Sequence, residues 1–277
     1  MDALQGVRYN RLAHFERKEI TMNQTVLTEK IGKVGVLTLN RPEALNALNQ
    51  EMLQALVQAL QFFDADSTVT VMLIKGSEKA FAAGADIKFM AEASAQEMRQ
   101  NGFIDLFAEI GKIKKPIIAS VSGYTLGGGF EVVLSCDIIL AAESAVFGLP
   151  EVTIGVIPGG GGTQRLVRVV GKYLAMEMVL NNRKLKAHEA LGCGLVNHVF
   201  ANDMIAEESL RIATEISLRA PIAMRDAKSA MNIAFENGLT EGLEAERTLF
   251  YGLFETLDQK EGMKAFQEKR KPNWMGE

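Results

Sequence analysis

The sequence predicts an α/β protein that closes with an all-helical region. Three observations lead to that class. Short apolar runs such as Val69-Thr-Val-Met-Leu-Ile74 and Ile117-Ile-Ala-Ser-Val121 recur between segments of helical spacing, and runs this poor in polar positions belong to strands covered on both faces. A glycine triplet, Gly127–Gly129, leads from one such run straight into a helical segment, the place where α/β proteins put ligand-binding backbone. After Phe200 only helical patterns remain. The alternation argues for stacked ββα or βα units. The chain divides into an N-terminal extension (1–21), an α/β core (22–200) and a helical C-terminal region (201–277).

The extension is expected to be disordered. Asp2, Glu16 and Glu19 do not suit a mitochondrial presequence, no apolar signal core is present, and Met22 offers an alternative start. Thr25–Ile31, Gly32-Lys33 and Val34–Asn40 read as a β-hairpin with a two-residue turn. Arg41-Pro42 stops the second strand. Asn49 is placed to cap a helix over 50–63, where Met52, Leu53, Leu56, Leu60 and Phe63 fall at helical spacing. Val69–Ile74 is the next strand. Gly76–Ile87 reads as a small-residue loop, and 94–110 as one helix. Ile117–Val121 is a buried strand, 130–136 a helix, and Asp137–Ala142 and Ala145–Phe147 are short strands. Helices are expected over 163–170, 174–180 and 187–191, and a last strand over Val196–Phe200. The C-terminal helices are expected over 204–219, 221–236, 240–256 and 258–269, with Pro221 suited to a first turn and Gly238 to a helix end. Leu243, Phe250, Phe254, Met263 and Phe266 give that region apolar positions but little core of its own, so it is expected to pack on the core domain and on other subunits.

Bulk properties exclude several classes. The 277 residues are 48% apolar and 23% charged, with a formal charge of −4, which disfavours a broad nucleic-acid footprint. No apolar run is long enough for a membrane span. Cys136 and Cys193 cannot build a disulfide framework, and His14, His188 and His198 lack metal-ligand spacing, so no metal site is expected. Nothing argues for export, and the cytoplasm is the expected location.

The chemistry concentrates in two stretches, Tyr124-Thr-Leu-Gly-Gly-Gly-Phe-Glu131 and Phe147-Gly-Leu-Pro-Glu151 with its continuation to Arg165. Neither glycine cluster fits a dinucleotide or P-loop fingerprint, and no G-x-S-x-G element is present. Taken singly, each cluster reads as a tight turn, and a single helical glutamate reads as a solvated face. Together they say more. Glycine lets backbone approach a ligand closely. A helix start offers unpaired N–H donors, suited to developing negative charge on an oxyanion. Glu131 lies among apolar neighbours, where a carboxylate needs partners or a raised pKa. With Glu151 it forms a carboxylate pair suited to acid/base chemistry on a carbonyl compound.

Five segments carry a resemblance over residues 25–277. They are Arg41-Pro-Glu-Ala-Leu-Asn-Ala-Leu48, Phe81-Ala-Ala-Gly-Ala-Asp-Ile-Lys88, Gly123–Glu131, Phe147-Gly-Leu-Pro-Glu151 and Ile157-Pro-Gly-Gly-Gly-Gly-Thr-Gln-Arg165. The chain resembles the enoyl-CoA hydratase/isomerase family, whose crotonase-like (ClpP/crotonase) α/β fold stacks ββα units. The resemblance implies an oxyanion hole from the backbone N–H groups of Ala85 and Gly128. Glu131 would be the base on a water and Glu151 the acid at Cα, with the Gly159 amide positioning the water. Ala83, Ala85, Asp86, Ile87 and Lys88 would line the CoA channel with Gly128, Lys88 reaching a phosphate. It also implies an acyl-CoA substrate, no metal or redox cofactor, and a homo-hexamer built as a dimer of trimers through the C-terminal helices. One departure stands out: many hydratases carry glutamine where this chain has Leu149, which bears on chain length or substrate preference.

The expected activity is hydration of a 2-enoyl-CoA to a 3-hydroxyacyl-CoA, a carbon–oxygen lyase reaction of the kind used in fatty acid β-oxidation. The alternatives are a Δ3,Δ2-enoyl-CoA isomerase, for which one carboxylate often suffices, a pathway-specific hydratase such as one for dehydroadipyl-CoA, and, remotely, a non-catalytic RNA-binding relative. The paired glutamates and the net acidity favour the first.

Overall fold

The structure, a computed structural model, describes residues 17–20 and 23–277. Its centre is a seven-stranded sheet in the order β1-β2-β3-β4-β6-β8-β11. Strand β1 (Arg17–Glu19) pairs antiparallel with β2 (Val26–Ile31), and β2 forms the expected hairpin with β3 (Val34–Leu39), Ile31 facing Val34 across the turn. The expected disorder is thus corrected over Arg17–Glu19, where backbone pairing to β2 holds the chain; the rest of that expectation, except for Ile20, lies outside the described residues. Strands β4 (Val71–Lys75), β6 (Ile117–Val121), β8 (Ile138–Ala142) and β11 (His198–Phe200) continue the sheet in parallel.

Strand alternation explains why these runs are apolar throughout. Met72, Ile74, Ala119, Val121, Ile139 and Ala141 join the larger core cluster on one face, together with Leu53, Leu56, Leu60 and Phe63 of helix α1 (Gln50–Ala65). Val71, Leu73, Ile118, Leu140 and Ala142 face the other way, into a second cluster with Ile205 and Ala213. Successive side chains point to opposite faces, and here both faces are buried. Asn49 caps α1 as expected, its side chain accepting from Met52 N at 2.9 Å.

The small-residue loop after β4 is more ordered than its composition suggested. It contains β5 (Ala80–Ala82) and a short helix α2 (Ile87–Met90). Strand β5 joins a second, four-stranded sheet in the order β10-β9-β7-β5, with β7 (Tyr124–Leu126), β9 (Val146–Gly148) and β10 (Leu185–Lys186). The single helix expected over 94–110 is corrected to two, α3 (Ala95–Gln100) and α4 (Asp105–Gly111). Gly102 sits between them at φ +66, a left-handed conformation that ends a right-handed helix. Helix α5 (Gly128–Val133) starts two residues earlier than expected, inside the glycine triplet. Helices α6 (Gly162–Val170) and α7 (Lys172–Leu180) meet at Gly171, and α8 (Ala187–Gly192) precedes β11.

Helix α9 (Ile205–Ser217), grouped by sequence with the C-terminal helices, covers the second face of the large sheet through Ile205 and Ala213. The helices that follow are α10 (Pro221–Ile233), α11 (Leu239–Leu253) and α12 (Leu257–Gln267). Buried Lys228 of α10 ties this region to the core, donating to Lys115 O at 3.0 Å and pairing with Asp137 at 2.8 Å. Helix α11 has no buried residue, and Phe250 and Tyr251 on it, with Phe254 just after it, are exposed.

Candidate active site

The site forms where α5 begins, between the two sheets' connecting segments. Three segments converge on it: residues 41–48, residues 83–86, and the turn 159–162. The first two are zipped together by backbone bonds, Ala83 N to Leu45 O (3.0 Å), Leu48 N to Gly84 O (2.8 Å) and Asp86 N to Leu48 O (2.8 Å). Alternate peptide groups of an extended segment point to opposite sides. The bonds from Gly84 and Asp86 to Leu48 therefore leave the Ala85 N–H on the other side. There it meets α5: a Cβ placed on Gly128 would lie 3.8 Å from Ala85 N. Gly128 is the first residue of the helix, so its own N–H has no intrahelical acceptor. Among the described residues neither amide donates to a protein group. The N–H donors of Ala85 and Gly128 thus lie on neighbouring backbone segments.

The segment that carries Ala85 is held by a residue to which sequence reading gave no role. Asn46 is fully buried at φ +56. Its Nδ2 donates to Ala80 O and Phe81 O, both at 3.1 Å, and its Oδ1 accepts from Arg41 N at 2.8 Å. Asparagine tolerates the left-handed region better than other residues with a side chain. An asparagine inside the apolar run Ala44–Leu48 was the signal available. Arg41 in turn donates to Ala47 O at 2.5 Å and pairs with Asp86 at 3.3 Å.

The carboxylates flank the same helix start. Glu131 lies in the first turn of α5, its N–H donating to Gly127 O, and is 3% exposed. Its Oε1 accepts from Gly162 N at 2.7 Å. A Cβ on Gly160 would come within 3.0 Å of its Oε2 and 2.6 Å of the Phe107 ring, so a side chain at 160 would break the turn's approach. Burial pushes the Glu131 carboxyl above its ordinary range, against the Gly162 and Gly160 amides and the charge of Arg165. Glu151 opens a 3₁₀ turn over Glu151–Ile154. Its Oε1 packs on Gly127, where a Cβ would lie 2.8 Å away, and φ is +50, two reasons for glycine there. Its Oε2 is buried with no protein partner among the described residues. Burial pushes this carboxyl up to about 7, its own amide opposing and the Glu131 charge adding to the rise. The Glu131 charge thus acts on Glu151, and the two environments differ: Glu131 has backbone donors and a nearby cation, Glu151 has one unpartnered oxygen.

The remaining expected residues sit around this centre. Gly159 is exposed on the turn next to Gly160, its Cα against Ile104. Ala83 and Asp86 are half-buried in the zipped segment, while Ile87 and Lys88 are exposed on α2. Lys88 lines an open groove with Asn49, Gln50, Glu51 and Asp86. Leu149 is fully buried, its Cδ1 near Gly162. Among the described residues no group of His, Cys, Asp and Glu is arranged to hold a metal ion, and no helix is long and apolar enough to cross a membrane.

The profile of the enoyl-CoA hydratase/isomerase family matches residues 29–277. A protein of Rhizobium meliloti named "probable enoyl-CoA hydratase" is 51% identical over 249 residues, covering 90% of this chain and 96% of the relative. The 2,3-dehydroadipyl-CoA hydratase of Escherichia coli is 44% identical over 244 residues, 88% of this chain and 96% of the relative. A crystal structure of an enoyl-CoA hydratase subunit from Geobacillus kaustophilus superposes with a TM-score of 0.89 at 42% identity, covering 91% of this chain and 98% of the other. With its crotonase-like α/β fold, the chain belongs to the enoyl-CoA hydratase/isomerase family.

Proposed function

We propose that the chain hydrates 2-enoyl-CoA thioesters to 3-hydroxyacyl-CoA. The observation that carries this reading is the meeting of two free backbone amides, Ala85 and Gly128, with two carboxyls of different surroundings, Glu131 buried and Glu151 half-buried. The thioester oxygen is held by the two N–H groups. Glu131, whose ionised form is favoured by the Gly162 and Gly160 amides and by Arg165 against its burial, takes a proton from a water while the water oxygen bonds to Cβ. The Cα=Cβ electron pair moves into the thioester as an enolate, stabilised by the two amides. Glu151, its carboxyl raised to about 7 and so about half protonated at neutral pH, gives its proton to Cα. Dehydration runs the same steps backwards. Preorganised donors of this kind contribute on the order of 10²–10³ in rate each. The Gly159 amide helps place the water, and Asp86, Ile87 and Lys88 border the CoA path with Lys88 at a phosphate.

An isomerase needs one base to shuttle a proton between carbons; the presence of both carboxyls at one helix start favours hydration. The reading includes a homo-hexamer, a dimer of trimers, supported by the exposed aromatic residues of α11 and the absence of any buried residue on it. It includes no metal or redox cofactor, so chelation by EDTA leaves the rate unchanged. It places the enzyme in the cytoplasm, which fractionation of the source cells tests, and light scattering gives the assembly mass.

Loss of the enoyl-thioester absorbance of crotonyl-CoA tests the activity. The wild type removes the band, while Glu131→Gln and Glu151→Gln each lose at least about 10²-fold. A wild type inactive on crotonyl-CoA, on longer 2-enoyl-CoAs and on 2,3-dehydroadipyl-CoA, but active on a 3-enoyl-CoA, would replace hydration by isomerisation.

A further inference from the structure

Arg165 touches no reacting atom in the steps just described, yet it is placed behind them. It lies in the first turn of α6 and folds back over the glycine turn, Nη1 donating to Gly160 O at 2.9 Å. At Gly161, φ +106, the guanidinium occupies the place a side chain would take, Nη1 lying where a Cβ would stand. On its other side Nη2 would meet a Cβ on Gly111, at the end of α4, at 3.7 Å. The guanidinium thus fills the space between the turn and α4, the helix whose Phe107 packs against Gly128 and Gly160. The turn so held presents Gly162 N to Glu131 Oε1 at 2.7 Å. The positive charge of Arg165 also acts on the Glu131 carboxyl and favours its ionised form.

We propose that Arg165 is a positioning residue of the carboxylate pair: it clamps the Gly160 carbonyl, fixes the 159–162 turn, and thereby aims Glu131 at the attacking water. The inference rests on the hydration reading for its kinetic test, and on geometry alone for its structural one. Arginine suits the role because its planar fork reaches a carbonyl while lying flat against glycine backbone, and it stays charged when partly buried. Displacing a reacting group by about 1 Å can cost on the order of 10²-fold in rate.

The test compares the wild type with Arg165→Lys and Arg165→Gln on crotonyl-CoA, with a crystal structure of Arg165→Gln. The expected result is a roughly 10–100-fold fall in kcat for Arg165→Gln, with KM within about twofold. The acidic limb of kcat/KM moves to higher pH, because loss of a nearby cation makes Glu131 easier to protonate. Arg165→Lys, which keeps the charge and one donor, recovers part of kcat and restores the limb. In the crystal the Arg165→Gln turn shifts and the Gly162–Glu131 bond lengthens. A variant whose turn is unmoved, or whose kcat falls only with its folded fraction at an unchanged pH profile, overturns the proposal. If the wild type does not hydrate enoyl-CoAs, the hydration reading fails, and the crystal structure still decides whether Arg165 holds the turn. If Arg165→Gln does not fold, Arg165→Lys decides by KM against kcat: a lowered kcat at unchanged KM bears the proposal out, and a wild-type kcat would overturn it.

Discussion

Glu151→Gln is expected to stabilise the protein at alkaline pH while removing its hydration activity. Burial, with the residue's own amide opposing and the Glu131 charge adding, lifts the Glu151 carboxyl from 4.5 to about 7. In the unfolded chain it returns to the ordinary value. Between those values the folded protein keeps a proton that the unfolded chain has released. The stability tied to that proton is complete below the unfolded value and is lost as pH rises through the folded one. At about 1.4 kcal/mol per pH unit, the gap from 4.5 to about 7 amounts to ~3 kcal/mol. Glu151 is only half-buried, and solvent screening brings this to ~2 kcal/mol. Glutamine keeps the shape of the protonated form and never ionises. The variant should therefore be ~2 kcal/mol more stable than the wild type at about pH 8, with well under half of that gain at about pH 5. Each kcal/mol moves the midpoint of a chain this long by about 2–4 °C, so thermal unfolding should separate the two by about 4–8 °C at the higher pH. An equal difference at both pH values, or a less stable variant at the higher one, refutes the claim that Glu151 ionises at a cost inside the site.

Two further substitutions probe what holds the site. Asn46→Asp keeps the side-chain shape and the bond from Arg41 N but sets a carboxylate against Ala80 O and Phe81 O; it should destabilise by about 2–4 kcal/mol in urea unfolding and lower kcat at least tenfold by loosening the segment that carries Ala85. Lys228→Met leaves Asp137 without its cation; a loss of about 1–3 kcal/mol is expected, below that of a fully enclosed pair because the Asp137 side chain is partly exposed. Hydrogen exchange should then quicken in α10 to α12 while the Glu131 region keeps its protection, and uniform quickening would place the latch elsewhere.

Much of this architecture was legible in the sequence because the physics was local. The β2–β3 hairpin followed from a two-residue turn between alternating runs, and α1 from Asn49 and a clear apolar stripe. The buried strands announced themselves by apolarity on both faces, though which face each residue took needed α9, whose place on the sheet no local pattern encodes. Strands β5, β7 and β10 escaped because three residues or fewer carry no period; they exist through pairing with distant segments. The break between α3 and α4 hung on one residue, Gly102, that a helix can also tolerate. At the site, the glycine cluster, Glu131 and Glu151 were readable from composition and from the family resemblance. Asn46 and Arg165 were not, since their partners are the carbonyls of Ala80, Phe81 and Gly160, and a carbonyl has no sequence signature.

The most direct test of the account is a crystal structure with 3-hydroxybutyryl-CoA bound. The account predicts the thioester oxygen within about 2.7–3.1 Å of both Ala85 N and Gly128 N, with the 3-hydroxyl between the Glu131 and Glu151 carboxyls. A thioester held away from those two amides, or a hydroxyl that reaches neither glutamate, would contradict it.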